Sequence, residues 1–229
     1  MLSAIAIIPS APVLVPELAG AAAAEVSDLT AAVVAAAALL PGRWLAIGTG
    51  RNDDVLGPQT VGTLAGYGAD VRVRLSPGGP DIPGAELPLC ALLAGWVRGQ
   101  AQPEAAAQVR VYRADHDADT ALALGRQLRA DIDRQAEPIG VLVVADGANT
   151  LTPSAPGGYD PGDADAQQSL DDALATGDVV ALSRLPQQIL GRVAFQVLAG
   201  LAAPAPRSAK ELYRGAPYGV GYFAGAWQL

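Results

Sequence analysis

Strand-like and helix-like runs of apolar residues alternate along the chain. Leu2–Ile8 is an apolar, β-branched run, interrupted at Ser3 alone and ended by Pro9, the pattern of a buried strand. Ala21–Leu40 reads as one long alanine-rich helix stopped by Pro41-Gly42. Trp44–Ile47 and Asp70–Leu75 read as the next two strands. The latter alternates Val71, Val73 and Leu75 with Arg72 and Arg74, which implies a solvated face or an edge position. A helix is expected over Glu86–Val97 and a strand over Val109–Tyr112. An amphipathic helix follows over Thr120–Gln135, with Leu122, Leu124, Leu128 and Ile132 inward. Ile139–Ala145 is the clearest buried strand. A long loop, Asp146–Gly162, leads to helices at Ala164–Thr176, Val179–Leu185 and Pro186–Leu201, and Pro217–Trp227 holds a last strand.

Strands separated by helical crossovers predict an α/β fold: a single-domain α/β/α sandwich around a central, mostly parallel or mixed sheet. The 229 residues suffice for one large domain, and no repeat or linker divides them. Composition narrows the function. With 51% hydrophobic and 17% charged residues the chain is not of the disordered class. A net charge of -8, with Lys210 the one lysine, argues against nucleic acid, which needs clustered Lys and Arg. The single cysteine, Cys90, admits no intramolecular disulfide and sits in an apolar helical run as a buried thiol. The first residues lack a positive n-region and run into Pro9, Pro12 and Pro16. The apolar tract Leu29–Leu40 falls short of the ~20 residues that a membrane span needs. A cytoplasmic protein without a membrane partner is expected.

In such folds ligand sites form at the carboxyl ends of the strands. Here those ends carry Pro9-Ser10, Gly48-Thr49-Gly50-Arg51, Ala114-Asp115-His116 and Asp146-Gly147-Ala148-Asn149, all polar or glycine-rich. Gly48-Thr49-Gly50-Arg51 lacks the further glycine or Gly-Lys-Ser/Thr of a phosphate cradle. Gly78-Gly79-Pro80 and Gly157-Gly158 read as turns. The acidic run Asp160, Asp163, Asp165, Asp171 and Asp172 has no calcium-loop spacing and reads as helix-start carboxylates or a solvated face. Tyr218, Tyr222, Phe223 and Trp227 form an aromatic stripe suited to core or interface.

Three Pro/Gly-rich segments carry a family resemblance: Ile8-Pro9-Ser10-Ala11-Pro12-Val13-Leu14-Val15-Pro16-Glu17, Leu151-Thr152-Pro153-Ser154-Ala155-Pro156-Gly157-Gly158-Tyr159-Asp160, and Ala216-Pro217-Tyr218-Gly219-Val220-Gly221-Tyr222-Phe223. Together they resemble the LigB-type class III extradiol ring-cleavage dioxygenases, and the resemblance implies that fold. It also implies a non-haem Fe(II) held by two histidines and one carboxylate. The family's first histidine ligand falls at Ser10 and its second within Gly48-Thr49-Gly50. Its acid–base histidine falls at Asn149 and its carboxylate ligand at Gly215, while Asp146 matches a family aspartate. Asp115-His116 resembles a Leu-Asp-His-Gly segment whose histidine faces the substrate.

The chain has one histidine in all. The expectation is therefore a pseudoenzyme: a non-catalytic relative with its metal site lost and no cofactor. Its remnant cleft, or its surface, would bind a small molecule or a protein partner. The cleft residues would be Ser10, Thr49, Gly50, His116, Asp146, Asn149, Gly215 and Tyr218, with His116 and Asp146 as the titratable pair. The alternative is an enzyme with altered, metal-independent chemistry that uses His116 as acid/base against Asp115 or Asp146. A third reading draws a weak metal site from His116, Asp115 and Asp146. Asp115 and Asp117 flank the ring in sequence, and Asp117 or Asp119 suits the N-cap of the following helix. Family members often pair, so a homodimer through the aromatic C-terminal strand is a further expectation.

Overall fold

The computed structural model describes residues 1–78 and 86–229, so Gly79 and Pro80 of the expected turn lie outside the described residues. Nine strands are described: β1 (Leu2–Ile8), β2 (Arg43–Gly50), β3 (Asp54–Leu56), β4 (Val61–Thr63), β5 (Arg72–Arg74), β6 (Ala106–Arg113), β7 (Ile139–Val144), β8 (Ser208–Gly215) and β9 (Tyr222–Gln228). Seven form one sheet in the order β3-β6-β2-β7-β1-β9-β8, and β4 pairs with β5 as a separate ribbon. The four middle strands β6, β2, β7 and β1 run parallel, and antiparallel β3 and β9 flank them. β8 closes the far edge against β9.

The helices are α1 (Pro16–Ala19), α2 (Ser27–Ala37), α3 (Leu89–Ala101), α4 (Ala118–Asp133), α5 (Asp163–Thr176), α6 (Val179–Ser183) and α7 (Arg192–Leu201). Side chains alternate across the strands and build two apolar layers. Ala6, Ile8, Ala46, Leu142 and Val144 meet α2 and α3 on one face. Ile5, Ile7, Leu45, Ile47, Val141 and Val143 meet α4, α5, α6 and α7 on the other. The architecture is an α/β sandwich with helices on both faces of a mixed sheet.

Three local expectations change, and a fourth resolves. The segment Ala21–Leu40 is not one helix: Gly20–Ala24 forms a 3-10 turn, Val26 leaves helical geometry at φ -107 and ψ 13, and α2 starts only at Ser27. Val26 is 2% exposed, so burying its side chain outweighs the helix preference of the surrounding alanines. The arginine-alternating strand is confined to β5, in the small ribbon and not in the main sheet. Its alternation holds, with Val73 buried between the more accessible Arg72 and Arg74. The segment Pro186–Leu201 becomes a turn and a shorter α7. The aromatic stripe is mostly core: Tyr222, Phe223 and Trp227 are 6%, 4% and 1% exposed, Tyr218 is half-buried, and β9 is hydrogen-bonded on both sides.

Cys90 is buried as expected, and burial pushes its thiol up to about 12. Among the described residues no helix is long and apolar enough to cross a membrane.

Candidate functional site

The parallel strands bring their carboxyl ends to one edge, which also carries the end of β8 and the start of β9. Every residue expected in the cleft falls on or beside that edge: His116 after β6, Thr49 and Gly50 closing β2, and Asp146 and Asn149 after β7. Ser10 follows β1, Tyr218 precedes β9, and Gly215 closes β8. At ~4.8 Å per strand the edge from β6 to β8 is about 24 Å long, too wide for one small-molecule site. His116 and Asp146 stand two strands apart, about 10 Å by the same measure. They do not form a titratable pair, and the residues fall into two groups.

The first group gathers the three Pro/Gly-rich segments. The Ser10 N–H donates to Asp146 Oδ1 at 2.7 Å. Gly147 N–H donates to Gly221 O, and Gly221 N–H to Ala148 O, each at 2.8 Å; Leu151 N–H reaches Gly219 O at 3.0 Å. Gly221 lacks a side chain for a reason: a Cβ there would collide with the Gln167 amide. That amide accepts from Ala148 N–H at 2.8 Å and donates to Asp171 Oδ1 at 2.9 Å, a buried link from α5 to the loop after β7. Burial raises the Asp171 carboxyl to about 6. It raises Asp146 further, to about 7, against the opposing pull of the Ser10 N–H. Tyr222 is raised too, first by its own burial and then by the Asp146 charge. Tyr218 donates from its hydroxyl to Glu25 Oε2 at 2.9 Å. The loop after β7 is pinned back on itself: Gly157 N–H donates to Asn149 O at 2.9 Å, and Thr150 Oγ1 donates to Asp163 Oδ2 at 2.6 Å. Asp163 and Asp165 occupy the first turn of α5, as helix-start carboxylates.

These residues do not fit an iron. Ser10, Gly48-Thr49-Gly50 and Gly215 offer neither imidazole nor carboxylate, and among the described residues no three His, Cys, Asp or Glu side chains gather to hold a metal. The trio His116, Asp115 and Asp146 is likewise not assembled, because Asp115 and His116 follow β6 whereas Asp146 follows β7, two strands away.

The second group surrounds His116. Its Nε2 lies 2.8 and 3.0 Å from the two carboxylate oxygens of Asp53, a residue in the turn between β2 and β3. Asp53 also accepts the Arg113 N–H at 2.7 Å. Burial works to raise the Asp53 carboxyl, but the Arg113 N–H and the His116 ring outweigh it and hold it below the ordinary carboxylate value. Neither flanking aspartate takes the ring. Asp115 forms a two-bond pair with Arg113, at 2.9 and 2.6 Å, and Asp117 caps α4 by accepting Thr120 N–H at 2.8 Å.

Beside the ring opens a cavity of about 570 Å³, walled by Asp115, His116, Arg184, Gln187, Arg192 and Gln196. Arg192 donates to His116 O and to Gln196 Oε1, each at 3.0 Å. The two groups meet at the start of α7, where Gly191 N–H donates to Asp146 O at 2.8 Å. Asp53 was missed from sequence. Asn52-Asp53-Asp54 carries no motif, and its link to His116 needs β2 and β6 to be neighbours.

No protein-family model matches the chain, and no curated protein does. Among solved structures the chain is similar to the uncharacterized protein JW3007 from Escherichia coli K12. The TM-score is 0.59 at 10% sequence identity, over 98% of this chain and 99% of that one. At that identity the likeness shows a shared α/β fold over the whole length and nothing about ligand or reaction.

Proposed function

We propose that the chain is a LigB-like relative of the class III extradiol dioxygenases that no longer holds iron and binds a small polar molecule at the carboxyl edge of its sheet. One observation carries this reading. The three family-like segments converge around Ser10, Asp146 and Gly221, while the positions for metal donors hold Ser10, Gly48-Thr49-Gly50 and Gly215. The convergence accounts for the Pro/Gly-rich motifs as scaffold, and the donor set supports the expectation that catechols are not cleaved. The ligand's place is the cavity beside His116, whose 570 Å³ lies in the range of small-molecule pockets. Its wall offers cations and carboxylates together, which suits a ligand with hydrogen-bond donors and acceptors.

The test has two arms. After anaerobic Fe(II) loading and desalting, elemental mass spectrometry is expected to find no stoichiometric iron, and catechols are expected to stay uncleaved. Equilibrium dialysis against a metabolite mixture is expected to retain a small molecule that His116→Ala releases. Stoichiometric iron with ring cleavage would overturn the proposal.

A second reading is supported by the His116–Asp53 contact, which resembles the base-and-orienter pairs of acid–base enzymes. With Nε2 held by Asp53, Nδ1 is the nitrogen that would take a proton from a ligand in the cavity. In that case the retained molecule is converted without metal, and His116→Ala abolishes conversion while Asp53→Asn slows it.

A further inference from the structure

Away from the carboxyl edge, a cavity of about 220 Å³ opens between α4 and the amino-terminal halves of β2, β6 and β7. Leu45, Leu128, Ile132 and Ile139 make its apolar floor. Arg110 enters from β6, where its backbone pairs with Ile47 on one side and Val55 on the other. The guanidinium is half-buried, and its Nε is buried without any hydrogen-bond partner. Among the described residues it forms no ion pair. The other charges of the rim are engaged: Asp131 Oδ1 accepts from Gln127 at 2.9 Å and from Arg134 at 2.6 Å, and Arg43 pairs with Glu137 at 3.0 Å.

A half-buried guanidinium without a carboxylate partner has lost hydration and gained no ion pair in return, so an anion that reaches its terminal nitrogens from the cavity would be favoured. Arginine's planar fork matches a carboxylate through two parallel hydrogen bonds. A phosphate carries more charge and more oxygens than one arginine above an apolar floor can satisfy. The volume is roughly seven times the ~30 Å³ share of a liquid water, which suits a six- to eight-carbon acid.

We infer that this cavity is a second binding site, for a small organic acid whose carboxylate pairs with Arg110 and whose apolar body covers Leu45, Leu128 and Ile132. It is distinct from the carboxyl-edge site, because its apolar walls come from α4 and the amino-terminal ends of β2 and β7.

Phenylacetate and hexanoate are to be titrated into the full chain by calorimetry and by amide NMR, beside phenylacetamide, hexanamide and inorganic phosphate. Saturable binding of both acids is expected, with shifted amides at residues 106–110 and 128–135. Both amides and phosphate should bind at least about tenfold more weakly, the measure of one lost charged hydrogen bond. Arg110→Gln should weaken the acids by a similar factor, and Arg110→Lys should recover part of it. The inference is overturned if the amides or phosphate bind as tightly as the acids, if Arg110→Gln leaves affinity unchanged, if the shifts map to the carboxyl edge, or if neither acid saturates at millimolar concentration. The acid–amide comparison on the unsubstituted protein decides the matter even where a variant fails to fold.

Discussion

Asp146 is the residue whose chemistry departs furthest from what its place in the sequence suggests. An aspartate after a buried strand suggests an ordinary charged ligand. Here burial lifts it from 3.8 to about 7 while only one N–H, that of Ser10, supports its charge. A carboxyl raised in the folded state stabilises the fold most below pH 3.8. That contribution is lost as pH rises toward 7, at ~1.4 kcal/mol per pH unit. Asp146→Asn keeps an acceptor for Ser10 and removes the titration. Its urea midpoint is expected to fall less steeply than the parent's between pH 4 and 7, where the raised Asp171 still titrates, and to exceed the parent's above pH 7; equal slopes would refute the assignment. His116→Ala behaves otherwise. Its partner Asp53 is 51% exposed, so the pair stabilises by at most ~1 kcal/mol, and a thermal melt should barely move while ligand retention is lost. A large loss of stability would mark His116 as structural.

At the scale of elements, two contacts fix how the site is built. Asp117 caps α4 immediately after His116, so the helix start sets the ring's position. Asp117→Ala is expected to cost ~1 kcal/mol in stability and to loosen the ring's contact with Asp53, read as a change in the His116 ring chemical shifts. α4 and α7 meet at their closest through Gly125 and Gly200. A Cβ on Gly125 would stand 2.1 Å from Val197 O, and one on Gly200 2.2 Å from Leu122 O. Alanine would gain ~1 kcal/mol of helix preference at either position. The clash is with backbone, which cannot swing aside, so Gly125→Ala is expected to be a net loss of ~1–3 kcal/mol in a urea titration. Since α7 also carries Arg192 to the His116 carbonyl, the same substitution should weaken ligand retention beside His116.

For the whole molecule, the sheet is shared by both apolar layers, so neither can form its core alone. Trp44 and Trp96 report on one layer and Trp227 on the other. Their fluorescence and the far-UV circular dichroism are expected to trace a single coincident urea transition. Two separated transitions would mean that the layers fold apart. The 24 Å edge also has a functional consequence: its two residue groups are far enough apart to be altered independently, apart from the Gly191–Arg192 link.

The run of apolar residues determined the strands that are buried on both faces. β7, the middle of β2 and β1 from Ile5 onward lie where Ile139–Ala145, Trp44–Ile47 and Leu2–Ile8 put them, because a strand covered on both sides has no polar position to disguise it. The sandwich of layers followed from their alternation with helices. Short or edge strands escaped: β3, β4 and β8 carry mixed residues, since a half-solvated strand of three to eight residues has no distinctive pattern. That no site could draw on two imidazoles was legible in a sequence with a single histidine. Which carboxylate meets that histidine was not. Asp115 and Asp117 are its chain neighbours, but local pairing and helix capping claim both, and the parallel register of β2 and β6 delivers Asp53 from 63 residues away. Residue type set what chemistry was possible; strand order, a property of no single segment, decided which groups could meet.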